Sequence, residues 1–586
     1  MPMQRILFFL LTSILVVSSC IKGGQRSEVA YKRSGNTAVI RMEGDADRLN
    51  PYLVTTNYGR MVVENLFMYL LTYDPSTLTL QPDLAVSRPK AEDITSGPYA
   101  GGVAYTFEIL PEAVWDNGSP VTGYDYLFSL KAILNPLVQA AAVRAYLGDL
   151  AAVEVDPANP KKFRVTLLQK TFLGEETVGG LFALLPEYAY DPQGLLKNIP
   201  LSDLTDPEKA DRLAGQDERL QAFAEAFNSD AYSRDAKKIS GCGPYRVASW
   251  ETEQRITLIK KRDWWGEKVQ KDHPALTAYP DSLVYVPIPN PATALTALKN
   301  EEIDAMGNIP AEDFLGLQQD AAFQERYALG TTHTLAYFYI GVNARDPLLA
   351  DKLVRQALSR AIDADEIVRE VFQGFGKRIV APVPPSVPYY PSREKPISVD
   401  LEQAAALLGK AGWKDSDNDG VVDKVIDGER VGLRVKYMLN ASSEQSRNIG
   451  LFIKDNCRKI GIDIELDPRE PAMILERLKQ RDFQLISTGR TQTPLWNPLQ
   501  NWHTQGDNRC GFGDAQTDAL IEQILITLDE KTRNRLMGQL LARIREEQVE
   551  ILLFSPEDRI AVHKRFAAEL TPFPPGFTPS QFKLQE

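Results

Sequence analysis

The loop from Asp415 to Asp423 has the residue types and the spacing of a calcium-binding loop. Side-chain oxygens at loop positions 1, 3, 5 and 9 come from Asp415, Asp417, Asp419 and Asp423, and a glycine at position 6 permits the sharp turn. A bidentate glutamate normally fills position 12, but Ile426 stands there. The same residues also suit a solvated turn, and we expect the loop to contribute little to function.

No catalytic motif accompanies this loop. The sequence has no G-x-S-x-G, H-E-x-x-H, P-loop or G-x-G-x-x-G pattern. The histidines stand far apart, without a second ligand at metal-binding spacing: His273, His333, His503 and His563. We therefore expect a protein that is not an enzyme and uses no cofactor.

Residues 1–19 have the composition of a signal peptide. Arg5 supplies the positive charge, and residues 6–17 form an apolar run shorter than the roughly 20 residues that span a bilayer. Small residues precede Cys20, which resembles the bacterial lipoprotein box, in which the cysteine is acylated. We expect Cys20 to carry a lipid anchor and residues 20–35 to form a tether; an ordinary secretion signal is the alternative.

Three further cysteines follow in the mature chain. Cys457 lies on an apolar helical stripe with Ile449 and Ile453, which indicates a buried, inert thiol. An exported chain meets oxidising conditions, so one disulfide with one spare thiol is possible in principle. If a pair forms, we expect it to be Cys242–Cys510.

The acidic charge balance restricts the partners. The formal net charge is −12 and the sequence contains no basic block. Nucleic-acid binding and polybasic membrane docking both need clustered lysine and arginine. We therefore expect no nucleic-acid partner, and membrane attachment only through the lipid.

Strand-like and helical segments alternate along the chain, which predicts a mixed α/β fold. Strands are predicted over 103–110, 246–247 and 256–260, and a hairpin over 421–426 and 430–439 about Asp427-Gly428. Residues 381–391 are rich in proline and are predicted to be extended. The predicted helical segments are 125–134, 203–238, 292–299, 350–362, 443–460 and most of 514–554.

Several sequence blocks occur in an order that resembles one family. They are GCGPYRV at 241–247 with Trp250 and RDWWG at 262–266; residues 281–306; IGVN at 340–343 with VRQAL at 354–358 and AID at 361–363; and AAALLGKAGW at 404–413. From about residue 36 onward the chain is similar to solute-binding protein family 5, the oligopeptide- and dipeptide-binding proteins of ABC importers.

This resemblance implies a periplasmic-binding-protein-like α/β fold with two hinged lobes and a third, extra domain. Lobe I would comprise residues 36–67, 236–330 and 550–586, the extra domain residues 68–235, and lobe II residues 331–549. A monomer would close around a peptide-like ligand between the lobes and deliver it to the importer permease. A glycan, metal chelate or signal molecule is the alternative ligand, and a secreted hydrolase the remote alternative.

The sequence departs from the family where a ligand amine would bind. In the family a strand leads to G-W-x-x-D, whose aspartate pairs with the ligand's α-amine; here Gly489 is followed by Arg490 at the tryptophan position and Thr493 at the aspartate position. A carboxylate, phosphate or sugar hydroxyl on the ligand therefore becomes plausible, with Arg490 as its partner. Trp496 and Asn343, beside the family blocks, are further candidates for ligand contact.

Overall fold

The computed structural model describes residues 35–585, so Cys20 and the tether up to residue 34 lie outside the described residues. Among the helices of residues 35–585, none has both the length and the apolar character needed to cross a membrane.

The strands alternate with helices over the whole described chain. The strands are β1 Thr37–Met42, β2 Leu71–Tyr73, β3 Leu80–Pro82, β4 Ala91–Asp93, β5 Val103–Glu108, β6 Leu150–Val155, β7 Lys162–Leu167, β8 Tyr245–Glu251, β9 Arg255–Lys260, β10 Ser282–Pro287, β11 Ala305–Met306, β12 Tyr327–His333, β13 Ala336–Val342, β14 Gly376–Arg378, β15 Asp423–Ile426, β16 Glu429–Gly432, β17 Arg434–Asn440, β18 Asp463–Arg469, β19 Leu485–Thr491, β20 Glu550–His563, β21 Phe566–Ala567 and β22 Lys583–Leu584.

The helices differ widely in length, and the longest precedes β20. They are α1 Asn57–Val63, α2 Gly123–Leu134, α3 Ala141–Arg144, α4 Gly174–Gly179, α5 Glu187–Tyr190, α6 Leu201–Leu204, α7 Pro207–Gln216, α8 Glu218–Asn228, α9 Ala231–Arg234, α10 Pro291–Lys299, α11 Ala311–Gln319, α12 Ala321–Arg326, α13 Lys352–Ala361, α14 Ala364–Val371, α15 Leu401–Lys410, α16 Glu444–Arg458, α17 Pro471–Gln480, α18 Leu499–Trp502, α19 Ala515–Ile526 and α20 Glu530–Glu547.

One mixed sheet runs through both lobes. Its order is β18-β17-β19-β13-β20-β11-β1-β10-β9-β8, with β12 and β14 also paired to β20. Strand β20 belongs to predicted lobe I and connects the two halves of this sheet. Residues 550–554 pair with β13 of predicted lobe II, and residues 557–563 pair with β12, which crosses the predicted boundary after residue 330. The chain also passes between the halves from β12 to β13, beside β20. Two adjacent crossings of this kind are suited to a hinge.

The hydrophobic cores group lobe I with the extra domain. One core contains Ile40 and Leu283 of lobe I together with Phe107 and Tyr126 of the extra domain. The extra domain adds its own antiparallel sheet, in the order β4-β5-β7-β6. Lobe II has separate cores, one of which packs α13 and α16 against β13 and β17. The predicted extra domain thus shares most of its core with predicted lobe I.

Local sequence signals set the helix ends. Thr122 caps α2 by accepting from the N–H of Tyr124, and Asp125 accepts from the N–H of Thr122 at 2.8 Å, which forms a capping box. Asn135, followed by a proline, ends the helix. Asp351 caps α13 by accepting from the N–H of Leu353 at 2.9 Å. The predicted helices over 125–134 and 350–362 are confirmed, with ends shifted by one or two residues.

The predicted hairpin about Asp427-Gly428 is only half right. Both turn residues have positive φ, 49° and 86°, as a two-residue hairpin turn requires, and β15 pairs with β16. The second strand does not continue to 439, because the chain breaks at the buried Leu433 and β17 joins the large sheet instead. Likewise, the helical prediction over 514–554 ends too late, since the apolar run from Ile551 belongs to β20.

The glycines of the block at 241–247 have a structural role. A Cβ on Gly241 would lie 2.2 Å from the carbonyl oxygen of Leu66, and one on Gly243 would lie 2.7 Å from the carbonyl carbon of Leu66. The N–H of Gly243 donates to that same carbonyl oxygen at 3.0 Å. This block therefore holds two backbone segments together in lobe I.

Candidate functional site

A cavity of about 150 Å³ lies between the extra domain and lobe II. Its walls combine polar and apolar surface in similar amounts. Leu78, Tyr105 and Phe172 come from the predicted extra domain, and Tyr389, Trp496 and Met537 come from predicted lobe II. Ligand sites are commonly clefts of this mixed origin, with apolar walls and a few polar groups.

Direct contacts join the two sides of this cavity. The N–H of Phe172 donates to the carbonyl oxygen of Leu525 at 2.8 Å, and the guanidinium of Arg533 lies 4.9 Å from the centre of the Phe172 ring. Phe172 also belongs to a hydrophobic core made otherwise of lobe II residues. The two sides of the cavity are therefore in direct contact here.

The charges of the cavity wall are largely paired. Arg88 donates to Glu175 in bidentate geometry, at 2.6 and 2.7 Å. This bond raises the pKa of Arg88. Arg533 donates to the carbonyl oxygens of Thr527 and Leu528, and burial lowers its pKa. Burial also raises the pKa of Glu176, which follows Glu175, to about 7.

Two buried donors of the cavity wall have no acceptor. Within residues 35–585, the indole N–H of Trp496 has no hydrogen-bond partner, and the hydroxyl proton of Tyr389 has no acceptor. An unpaired buried polar group costs about 1–3 kcal/mol, so a folded protein rarely keeps one without a reason. The oxygen of Gln492 and the indole nitrogen of Trp502 are unpaired in the neighbouring segment. Of these four groups, only those of Trp496 and Tyr389 belong to residues that line the cavity, where a ligand could supply the missing partners.

Arg490 lies in a buried cluster. Its guanidinium pairs with Glu550 at 2.8 Å, donates to the hydroxyl of Tyr339 at 3.0 Å and donates to the hydroxyl of Tyr337. Tyr337 in turn donates to Glu550 at 3.1 Å. The pairing follows from the sheet, because Tyr337 stands opposite Arg490 in the β13–β19 register and Glu550 begins β20 on the other side of β13.

The charge of Arg490 is therefore compensated within the chain. The side chain of Glu550 is 1% exposed and that of Arg490 is 21% exposed. Burial raises the pKa of the Glu550 carboxyl, and the Arg490 charge opposes that rise. The sequence analysis proposed Arg490 as the partner of an anionic ligand group without identifying Glu550, and the role of Arg490 toward such a ligand stays a prediction. The only sequence signal for Glu550 was an acid at the start of an apolar strand run, which needs a buried partner.

The other residues predicted to contact the ligand do not all lie at the cavity. Gly489 is exposed on β19, and Thr493 donates to the carbonyl oxygen of Leu495 at 2.9 Å beside the cavity. Trp496 lines the cavity itself. Asn343 lies beyond the far end of β13, where its amide donates to the carbonyl oxygens of residues 481 and 483. That amide supports a loop, at a distance from the cavity wall.

The predicted Cys242–Cys510 disulfide is not formed. Both residues are buried free thiols, and they belong to different hydrophobic cores. Cys457 is also a buried free thiol, on α16, as predicted. Burial raises the pKa of Cys457 and Cys510 to about 12, which keeps both thiols protonated.

The acidic loop gathers three carboxylates at the surface. Oxygens of Asp415, Asp417 and Asp419 lie within 4.8 Å of one another, and all three residues are exposed. Asp423 is directed elsewhere, since it accepts from the N–H and the hydroxyl of Ser416. Arginines 430 and 434 pair with two of the carboxylates, at 2.8 and 2.7 Å. The chain's own cations thus occupy part of this candidate calcium site.

We expect calcium to change the melting temperature by less than about 2 °C, and Asp417→Ala to leave that response unchanged. The reason is that Ile426 cannot act as the twelfth ligand and that arginines already neutralise the loop. Thermal unfolding with calcium and with chelator would test this. A calcium-dependent rise of several degrees that disappears in Asp417→Ala would contradict it.

Comparison with known proteins places the chain in a family. Residues 79–509 match the family model described as bacterial extracellular solute-binding proteins, family 5 Middle. The chain belongs to this family. The resemblance carried by the sequence blocks is thereby confirmed.

Similar proteins match along nearly their full length. The oligopeptide-binding protein AppA of Bacillus subtilis is 25% identical over 570 residues, which cover 94% of this chain and 93% of that protein. The nickel-binding periplasmic protein of Escherichia coli is 24% identical, over 86% of this chain and 85% of that protein. The structure of HbpA2 from Haemophilus parasuis has a TM-score of 0.72 at 20% identity and covers 94% of this chain and all of that one. The predicted fold class, a periplasmic binding protein, is confirmed.

Proposed function

We propose that this protein captures a peptide-like solute in the cavity between the extra domain and lobe II and delivers it to an ABC importer. The observation that carries the proposal is the cavity itself: it lies between lobes joined by two adjacent crossings and has buried donors without acceptors. Membership of the solute-binding family supports it, and so does the similarity to an oligopeptide-binding protein.

Identification of a copurified ligand tests this proposal most directly. We expect mass spectrometry of the denatured, gently purified protein to detect peptides. Small-angle scattering before and after such a peptide is added back to the stripped protein should show contraction, because the lobes close by a hinge. A protein that retains only non-peptide solutes would contradict the peptide assignment.

A non-peptide solute is the second candidate. Thr493 stands where the family has an amine-binding aspartate, and a hydroxyl cannot replace a charge-assisted bond. One similar protein is named for nickel binding. Elemental analysis of the same purified sample would detect a metal chelate. Turnover assays with peptide and ester panels would separate a hydrolase from both binding functions.

We further propose that Cys20 carries a lipid that anchors the protein to a membrane on its extracytoplasmic side. The support is the apolar segment ending in Val-Ser-Ser-Cys. Cys20→Ala should move the protein from the membrane fraction to the soluble fraction, as measured by fractionation and immunoblotting. A Cys242→Ala variant is the control and should stay with the membrane. Retention of the Cys20→Ala variant in the membrane fraction would contradict lipid anchoring.

A further inference from the structure

We propose that the cavity selects a ligand group of side-chain size that has an apolar body and a hydrogen-bond acceptor oxygen, recognised by Trp496 and Tyr389. This inference rests on the proposed binding function and adds the chemistry of the group that is bound. For a peptide ligand, such a group is the side chain of glutamine, asparagine, glutamate or aspartate.

The size of the cavity excludes a larger group. Its volume of about 150 Å³ is that of an engineered protein cavity which binds one benzene molecule. A whole oligopeptide therefore does not fit in this space, whereas one side chain does. The rest of a peptide would lie along the cleft outside it.

The polar atoms of the wall determine the complementary chemistry. The indole N–H of Trp496 can only donate, and the hydroxyl hydrogen of Tyr389 has no acceptor among the described residues. Trp496 as a whole is 4% exposed. Two unpaired donors on residues of one wall call for acceptor oxygens on the ligand.

The charged groups of the wall argue against a cationic side chain. Both carboxylate oxygens of Glu175 already accept hydrogen bonds from Arg88, and Glu530 is exposed. Among the described residues, Arg533 has no carboxylate within ion-pair distance, since it donates to backbone carbonyl oxygens. A lysine or arginine side chain would therefore meet donors and a cation, whereas an amide or carboxylate oxygen would meet partners.

A defined tripeptide mixture tests this selection. The full-length protein, stripped of ligand by unfolding and refolding, is incubated with equimolar Ala-Xaa-Ala, Xaa-Ala-Ala and Ala-Ala-Xaa peptides in which Xaa is leucine, lysine, glutamine or glutamate. Retained peptides are quantified by mass spectrometry. We expect glutamine or glutamate at one position to be enriched about fivefold or more over leucine and over lysine, as two net hydrogen bonds would give.

Two conservative variants test whether Trp496 and Tyr389 cause the preference for glutamine or glutamate. Trp496→Phe and Tyr389→Phe keep an aromatic ring and remove one donor each, so the enrichment over leucine should fall to about twofold or less while peptide retention persists. Trp502→Phe is the matched control: its indole nitrogen is also buried and unpaired, but Trp502 does not line the cavity. We expect Trp502→Phe to keep the wild-type enrichment. Thermal unfolding of each variant checks that it is folded.

The possible results separate this inference from the function on which it rests. If no tripeptide is retained by the wild-type protein, the peptide-binding proposal fails and the inference fails with it. If tripeptides are retained without preference for glutamine or glutamate, the inference alone is overturned. The same holds if Trp496→Phe and Tyr389→Phe both keep the full preference.

Discussion

Replacement of Arg490 by alanine is expected to lower the free energy of unfolding by about 3–5 kcal/mol. The change removes Arg490, the only cation paired with Glu550 among residues 35–585. It leaves a carboxylate whose side chain is 1% exposed without that counter-charge. It also removes hydrogen bonds to Tyr337 and Tyr339. Urea unfolding followed by circular dichroism measures the loss.

The deficit of Arg490→Ala should depend on pH. In the variant, burial raises the pKa of Glu550 with no cation to oppose it, so the folded state binds a proton more tightly than the unfolded state. Stability gained from that proton is present below the unfolded pKa and is lost as the pH rises through the folded pKa. The deficit should therefore be smaller at about pH 5 than at about pH 8.

A double variant shows how much of the lost stability comes from the unpaired charge and how much from lost packing. Arg490→Met with Glu550→Gln removes both charges, and we expect it to recover most of the stability that Arg490→Ala loses. Ligand affinity of Arg490→Ala is to be compared only at temperatures where the variant is folded. A stability change below about 1 kcal/mol would show that the pair contributes little.

Gly243→Ala is expected to destabilise the protein by about 2–3 kcal/mol. The new Cβ would lie 2.7, 2.8 and 2.9 Å from the carbonyl carbon and oxygen of Leu66 and the carbonyl oxygen of Asn65. All three are backbone atoms, which cannot move away as a flexible side chain can. The hydrogen bond from Gly243 to Leu66 would be strained as well.

A glycine in open space is the matched control for this variant. Gly538 lies inside α20, and a Cβ there would meet nothing within 4 Å. Gly538→Ala should therefore stabilise the protein by about 0.5–1 kcal/mol, because alanine loses less backbone freedom in a helix. Equal effects of the two substitutions in thermal unfolding would rule out the close approach as the cause.

The sequence alone predicted much of the local structure. Helix α2, strands β8 and β9 and the Asp427-Gly428 turn depend on neighbours within a few residues. Because such interactions are local, the composition and periodicity of a short segment are enough to predict them. The ordered sequence blocks further indicated the family, and with it the fold of two lobes and an extra domain.

Only the tertiary structure decided the partners of the site residues. Arg490 and Glu550 are 60 residues apart, and the sheet order β19-β13-β20 brings them together. The sequence allowed a disulfide between Cys242 and Cys510, but the fold buries the two residues in separate hydrophobic cores. Tyr389 and Trp496 meet the extra domain only because the lobes are in contact. Contacts of this kind depend on the packing of distant segments, which no spacing along the chain records.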